Sequence, residues 1–225
     1  MSDIYDSIWE NVKSILIAVI LAIIIKTSVV EAYKIPSASM EDTLLIGDFL
    51  IANKFIYGAR IPIVNWQLPG FTDPKQGDVV IFKWPGDKQT NYIKRCVAAP
   101  GQTVELKDEK LYVDGVLYAD SAFVKYDNIP GHNVRHSYGP YKVPQDYYFM
   151  MGDNRDNSSD SRYWGPVHKD LILGEALFIH WSWLPDNDSP EVAVADPLSV
   201  PRLFLYNIVH FPERVRWSRL FNIIE

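Results

Sequence analysis

An unbroken apolar run of 11 residues, Ile15 to Ile25, dictates more about this chain than any other stretch of it. With Trp9, Val12, Val29 and Val30 the mostly apolar segment approaches the ~20 residues that cross a bilayer as one helix. We therefore expect residues 1–32 to hold a short tail and one N-terminal transmembrane anchor. Lys13 and Lys26 flank the run, and their long side chains can snorkel to the two interfaces. The competing reading is a cleavable secretory leader, because Ser37-Ala38-Ser39 has the small side chains of a cleavage site. Two features weigh against it. Asp3, Asp6 and Glu10 stand where a leader begins with positive charge, and the apolar run ends well before Ser39. Charge leaves orientation open, since Lys26 and Lys34 lie beyond the run and Lys13 before it, and large following domains translocate largely regardless of such differences.

After Tyr33 the texture changes to short β-prone runs punctuated by Gly, Pro, Asn and Asp, which predict strands over 48–52, 78–83, 91–98 and 103–113. Asp114-Gly115 between two such runs is a strong hairpin signal. The expected class is mainly β: a β-sheet or barrel core over 33–106 and 141–185, an inserted β-ribbon over 107–140, and a C-terminal extension over 186–225. In that extension Trp217, Leu220, Phe221 and Ile224 recur at helical spacing with Arg214, Arg216 and Arg219 largely off the stripe. Such a helix suits a membrane surface or packing on the domain. The weakly charged stretch 55–71, with Trp66, suits lipid contact or core packing.

Composition excludes some functions. A formal charge of -6 without a Lys/Arg run offers no basic face for nucleic acid. The lone Cys96 cannot form an intramolecular disulfide and reads as a small buried hydrophobe. His132 and His136 have the spacing of two ligands on a helix, but Pro130, Gly131 and Gly139 oppose a helix, so no metal is expected.

Three segments carry the chemistry. In the first, Ile35-Pro-Ser-Ala-Ser-Met-Glu-Asp-Thr-Leu-Leu-Ile-Gly-Asp48, two hydroxyls, Ser37 and Ser39, follow the anchor closely, and Pro36 biases Ile35 toward extended geometry. A serine needs a base, and no Gly-x-Ser-x-Gly elbow points to a histidine triad. In the second, Asn91-Tyr-Ile-Lys-Arg-Cys-Val97, the strand period puts Tyr92, Lys94, Cys96 and Ala98 on one face and Ile93, Arg95 and Val97 on the other. Lys94 has uncharged neighbours on its face, and burial can lower a lysine pKa of ~10.4 by ~3–5 units, turning it into a base. The third, Met151 to Pro166, is too rich in Asp, Asn, Ser and Arg for a core strand and suits a network of turn hydrogen bonds. A calcium loop fails there, because the required glycine and terminal glutamate are absent at their offsets.

Together these segments resemble the bacterial type I signal peptidases over most of the chain, from the anchor to about His180. The family's Pro-Ser-Gly-Ser-Met, Pro-Thr-Leu and Gly-Asp elements match Pro36, Ser37, Ser39, Met40, Thr43, Leu44, Gly47 and Asp48. Ala38 stands where glycine is usual, and Asp42 where proline is usual. The Tyr-Ile-Lys-Arg element is intact at Tyr92 to Arg95, and Gly-Asp-Asn-Arg-Asp-Asn-Ser-x-Asp-Ser-Arg is intact at Gly152 to Arg162. The resemblance implies a signal-peptidase-like β core and a membrane-bound serine endopeptidase that removes signal peptides from exported preproteins, without cofactor or metal. It implies Ser39 as nucleophile and Lys94 as general base. It also implies Ser37 in the oxyanion hole with the Ser39 N–H, Ser158 orienting the Lys94 amine, an Asp160–Arg162 ion pair, and Asp153 paired with Arg95. Tyr33, Ile35, Pro36, Met40, Tyr92 and Ile93 would line pockets for small residues at -1 and -3. The implied partners are preproteins and the lipid bilayer. The implied location is the bacterial inner (plasma) membrane, crossed once, with the catalytic domain on the outer face.

Three rivals remain for comparison. Self-cleaving repressors of the SOS response use Ser-Lys chemistry on a similar β domain but need a DNA-binding module. Penicillin-binding transpeptidases need Ser-x-x-Lys, which no serine here satisfies. A tethered β domain that only binds partners would leave Ser39 and Lys94 structural.

Overall fold

The computed structural model describes residues 9–19, 30–58, 60–61, 66–67, 69–118, 124–126, 136–190, 192–193 and 196–224. The main sheet is built around β5 (Val79–Lys83), whose Val-Val-Ile-Phe run is buried on both faces. Val79 and Ile81 join one cluster with Leu44, Leu50 and Ile179, while Val80 and Phe82 join another with Cys96, Met150 and Ile172. A strand covered on both sides needs a continuous apolar run rather than alternation, which is what this segment supplies.

On one side β5 pairs with β13 (Ile172–Ser182), β13 with β2 (Asp48–Asn53), and β2 with β1 (Val30–Lys34). On the other it pairs with β6 (Asn91–Ala98), followed by β11 (Tyr147–Met151) and β12 (Val167–His168). All seven strands are antiparallel to their neighbours, in the order β1-β2-β13-β5-β6-β11-β12. The protein is mainly β, as its turn-punctuated sequence implies.

A second sheet runs β10 (Tyr138–Lys142), β7 (Thr103–Lys107), β8 (Lys110–Val113), β9 (Val116–Leu117). The expected single strand over 103–113 is therefore two. Asp108 and Glu109 both take positive φ, +46° and +67°, and fold the run back on itself so that Leu106 faces Leu111. The charged Lys-Asp-Glu-Lys stretch was the turn signal. Asp114 and Gly115, at φ +53° and +78°, make the next hairpin as the sequence implies, with the double positive φ of a primed turn. Val104, Leu106, Leu111 and Val113 pack against Val97, Ala98, Phe149 and Met151, which ties the second sheet to the first. Most of 119–135, including His132, lies outside the described residues.

A small hairpin joins β3 (Arg60–Ile61) to β4 (Trp66–Gln67). On its flanks Phe55 and Phe71 lie exposed with ring centroids 5.0 Å apart. At the N-terminal end residues 9–19 form a helix, α1, with exposed side chains. Among the described residues no helix is long and apolar enough to cross a membrane. Residues 20–29, which hold the rest of the expected anchor, lie outside them.

A short helix α2 (Ser161–Trp164) precedes β12, and α3 (Ser199–Val209) and α4 (Phe211–Arg214) follow the main sheet. The expected helical stripe of Trp217, Leu220, Phe221 and Ile224 does not form. Trp217–Arg219 is one 3-10 turn, Phe221 sits at φ +62°, and the chain then runs beside β13 through Phe221 N–H to Ile179 O (2.7 Å) and Ile224 N–H to Leu177 O (2.9 Å). A bulky residue with positive φ ends any right-handed helix, and the sheet edge then takes up the backbone groups.

The turn into β2 has one strict requirement. Gly47 lies at φ +90°, and a Cβ there would stand 2.1 Å from the Trp183 carbonyl oxygen. Gly47→Ala is expected to destabilise the fold by about 2 kcal/mol or more, through backbone strain and that clash together; thermal unfolding of the purified variant checks this.

Candidate active site

Ser39 lies on the loop between β1 and β2. Ile35 N–H donates to Asp48 O (2.8 Å) and Gly47 N–H to Ile35 O (3.0 Å), which closes the loop at its base. Met40 and Leu44, both fully buried, pin it to the core, and Leu44 N–H donates to Met40 O at 2.6 Å. Asp42 adopts φ +77°, a value closed to proline, whose ring holds φ near ~-65°. The loop thus makes a bend here that a proline at position 42 could not. Ala38 has no positive φ, so its methyl costs no strain of that kind.

Lys94 stands in β6 opposite Val80 and is 4% exposed. Its Nζ donates to Ser39 Oγ at 2.6 Å and to Ile93 O at 2.9 Å. Burial brings its pKa down to about 8, against the opposing pull of the Asp160 and Asp153 carboxylates. Each of those carboxylates has its own cation. Arg95 grips Asp153 through Nε–Oδ1 (2.8 Å) and Nη2–Oδ2 (2.7 Å), and Arg162 grips Asp160 through Nε–Oδ1 (2.8 Å) and Nη2–Oδ2 (2.9 Å). All four side chains are buried. Bidentate pairs of this kind hold tightly, and removing one partner strands a buried charge at a cost of about 3–5 kcal/mol.

The segment after β11 wraps the serine from behind. Asn154 N–H donates to Ser39 O (3.2 Å) and Gly152 N–H to Asp160 Oδ2 (3.1 Å). Gly152 must be glycine, because a Cβ would lie 2.5 Å from Ser39 O and 2.3 Å from Ser158 Oγ. Thr43, which sequence reasoning matched to the motif but gave no task, donates from Oγ1 to Asp153 Oδ2 at 2.6 Å. It links the serine loop to the Arg95 pair, and its matched position was the available signal.

The expected site residues do not all meet. A cleft of about 360 Å³ is walled by Pro36, Ser37, Ser39, Tyr92, Ile93 and Lys94, with Thr90, Asn91, Asn157 and Ser159 completing it. The last four were not anticipated, though each adjoins or lies within a motif. Ile35 and Met40 do not line this cleft; they are core residues, with Tyr33 packed against the same cluster and its hydroxyl donating to Glu31 Oε2 (2.6 Å). Ser37 Oγ is 3.5 Å from Ser39 Oγ. Ser158 Oγ is buried beside Gly152 and has no hydrogen-bond partner among the described residues, so the structure does not join it to the Lys94 amine. Among the described residues no group of three His, Cys, Asp or Glu side chains gathers as a metal site.

A buried lysine amine against a serine hydroxyl, backed by two arginine-paired carboxylates, is an arrangement for nucleophilic chemistry, and its origin is legible by comparison. The sequence model of the family described as signal peptidase, peptidase S26, matches residues 8–181. The chain belongs to this family. Its relatives include the signal peptidase I of Pseudomonas aeruginosa, 37% identical with 79% of this chain and 73% of that one aligned. The signal peptidase I of Aquifex aeolicus is 32% identical, covering 89% of this chain and 94% of its own. A probable signal peptidase I-2 of Synechocystis sp. is 41% identical, over 78% of this chain and 75% of its own.

The depressed pKa also has a stability consequence. Unfolded Lys94 would hold its proton up to ~10.4, whereas the folded site releases it at about 8, a difference equivalent to ~3 kcal/mol. The cost is full below the folded value and fades as pH rises toward the unfolded one. Lys94→Met is expected to melt higher than the parent at neutral pH, with a gain that shrinks as pH climbs toward ~10.4; melting curves at neutral and alkaline pH test this.

Proposed function

We propose that this member of the signal peptidase family cleaves signal peptides from exported preproteins with Ser39 as nucleophile and Lys94 as general base. The observation carrying this reading is the Lys94 amine, buried, depressed to about 8 and 2.6 Å from Ser39 Oγ. At neutral pH about a tenth of such amines are uncharged, against roughly one in a thousand or fewer for an ordinary lysine. In the neutral form the short separation lets Ser39 O–H donate to the amine lone pair.

The steps follow from that geometry. Ser39 Oγ attacks the scissile carbonyl as its proton passes to Lys94 Nζ. The Ser39 N–H and the Ser37 hydroxyl receive the oxyanion, and the lysine returns the proton to the leaving amine. Water then attacks the acyl-enzyme with neutral Lys94 accepting its proton; the acyl C–Oγ bond breaks, and the lysine passes the proton to Ser39 Oγ as the acid product leaves. Arg95–Asp153 and Arg162–Asp160 hold the loops around the dyad, and the Ser158 hydroxyl, buried beside Gly152, would orient the amine once substrate is present.

An extended substrate paired with a strand edge sets its -1 and -3 side chains on the same side. The cleft beside Pro36, Tyr92 and Ile93 favours small residues there. Tyr33, Ile35 and Met40 contribute from beneath by fixing the loop that bears Pro36 and Ser39. A single-pass anchor through residues 1–32 would hold the site at the outer face of the bacterial plasma membrane, where preproteins emerge.

Ser39→Ala, Lys94→Ala and Lys94→Arg are each expected to abolish processing of a preprotein while the fold persists, the last because a guanidinium does not shed its proton. For the parent enzyme kcat/KM should rise with pH and level off above a pKa near 8. Measurable turnover by any of the three, or a rate independent of pH between 6 and 9 (about two units below and one above that value), removes the dyad.

A further inference from the structure

We propose that Arg219, carried by the segment after the main sheet, is a positioning residue for Ser39: it grips the far end of the serine loop through the Asp48 carboxylate and the Thr43 carbonyl. The inference rests on the dyad reading given above.

Asp48 is fully buried at the point where the loop enters β2. Arg219 Nη2 donates to its Oδ2 at 2.6 Å and Nε to Oδ1 at 3.2 Å, while the same Nη2 donates to Thr43 O at 2.9 Å. Arg219 Nε also reaches Oδ2 (3.1 Å), and Ser182 Oγ donates to Oδ1 (2.6 Å) and Leu45 N–H to Oδ2 (2.8 Å), which completes the carboxylate's partners among the described residues. One guanidinium thus ties together two points of the loop, Thr43 and Asp48. Thr43 carries the restraint onward, since its hydroxyl bonds Asp153, the partner of Arg95, which is the neighbour of Lys94 in β6. Both members of the dyad are one short step from this chain of contacts.

The platform that presents Arg219 is itself fixed. Arg216 N–H donates to Ser182 O (3.1 Å), and Ile179 N–H to Asn222 O (2.9 Å), so the segment lies along β13 on both sides of the arginine. Arg216 Nη2 adds a bond to Trp183 O (2.9 Å) and one to Ile46 O within the loop. Residues 182–225 fall outside the stretch matched by the family's sequence model, which ends at 181. In this chain the serine loop is held by a segment beyond it. A lysine could neutralise Asp48, but a single ammonium lacks the planar fork that engages carboxylate and carbonyl together.

The test uses the full chain in detergent with a preprotein substrate, comparing Arg219→Ala and Arg219→Lys with the parent for kcat, KM and pH profile, alongside circular dichroism and melting. Loss of the clamp lets Ser39 drift from the amine and water reach it. Arg219→Ala is therefore expected to lose about 10- to 100-fold in kcat with KM little changed, and the acid limb of the rate profile is expected to move to higher pH. Arg219→Lys should fall between that variant and the parent. Parent-like kcat and an unmoved limb overturn the clamp, as does a rate loss that only tracks loss of folded protein. If Arg219→Ala does not fold, Arg219→Lys decides by the same two readouts. Ser39→Ala with undiminished turnover overturns the dyad reading and the clamp with it. An inactive Ser39→Ala beside an unimpaired Arg219→Ala overturns the clamp alone.

Discussion

Everything around Ser39 answers to one constraint: an amine must be kept out of water without a counter-ion of its own. A lysine placed so resists protonation, and desolvation is the largest influence on Lys94. The fold supplies the dry site by laying β6 between β5 and β11, with the sheet's interior covered on both faces. The only hydrogen bonds formed by Lys94 Nζ among the described residues are to Ser39 Oγ and to the carbonyl of Ile93, both neutral oxygens.

Two carboxylates nearby oppose that arrangement, and how they are handled explains much of the surrounding sequence. Asp153 and Asp160 both draw the Lys94 pKa upward. Each is locked in a two-pronged pair with an arginine, which sets a guanidinium beside each carboxylate. The same pairs order the stretch 153–162, which has no apolar side chains to pack. Charge here shapes the loop, while desolvation outweighs the pull of the two carboxylates on the lysine.

Part of this was legible in the residues. The β-prone runs, the Asp114-Gly115 hairpin and the three polar motifs are local signals, and strands stand where most of them point. The misreadings share a cause. Residues 103–113 look continuous because both halves are β-prone, and only the positive φ of Asp108 and Glu109 parts them. Trp217, Leu220, Phe221 and Ile224 have helical spacing over a stretch too short to sustain a helix, and β13 offered their backbone a better partner. Ile35 and Met40 sit in the serine motif yet serve the core beneath it, because a loop with no regular hydrogen bonding needs apolar pins to stay in place.

By itself the sequence determined the class of fold, the family and which hydroxyl and amine were candidates, since strand period, turn residues and motif spacing are properties of neighbours along the chain. Only the tertiary structure decided that Lys94 is dry, that Ser39 Oγ lies within a hydrogen bond of it, and that Arg219 reaches Asp48 across 171 positions. Desolvation and ion pairing depend on what the rest of the molecule places within a few ångströms, and separation along the chain carries no record of that.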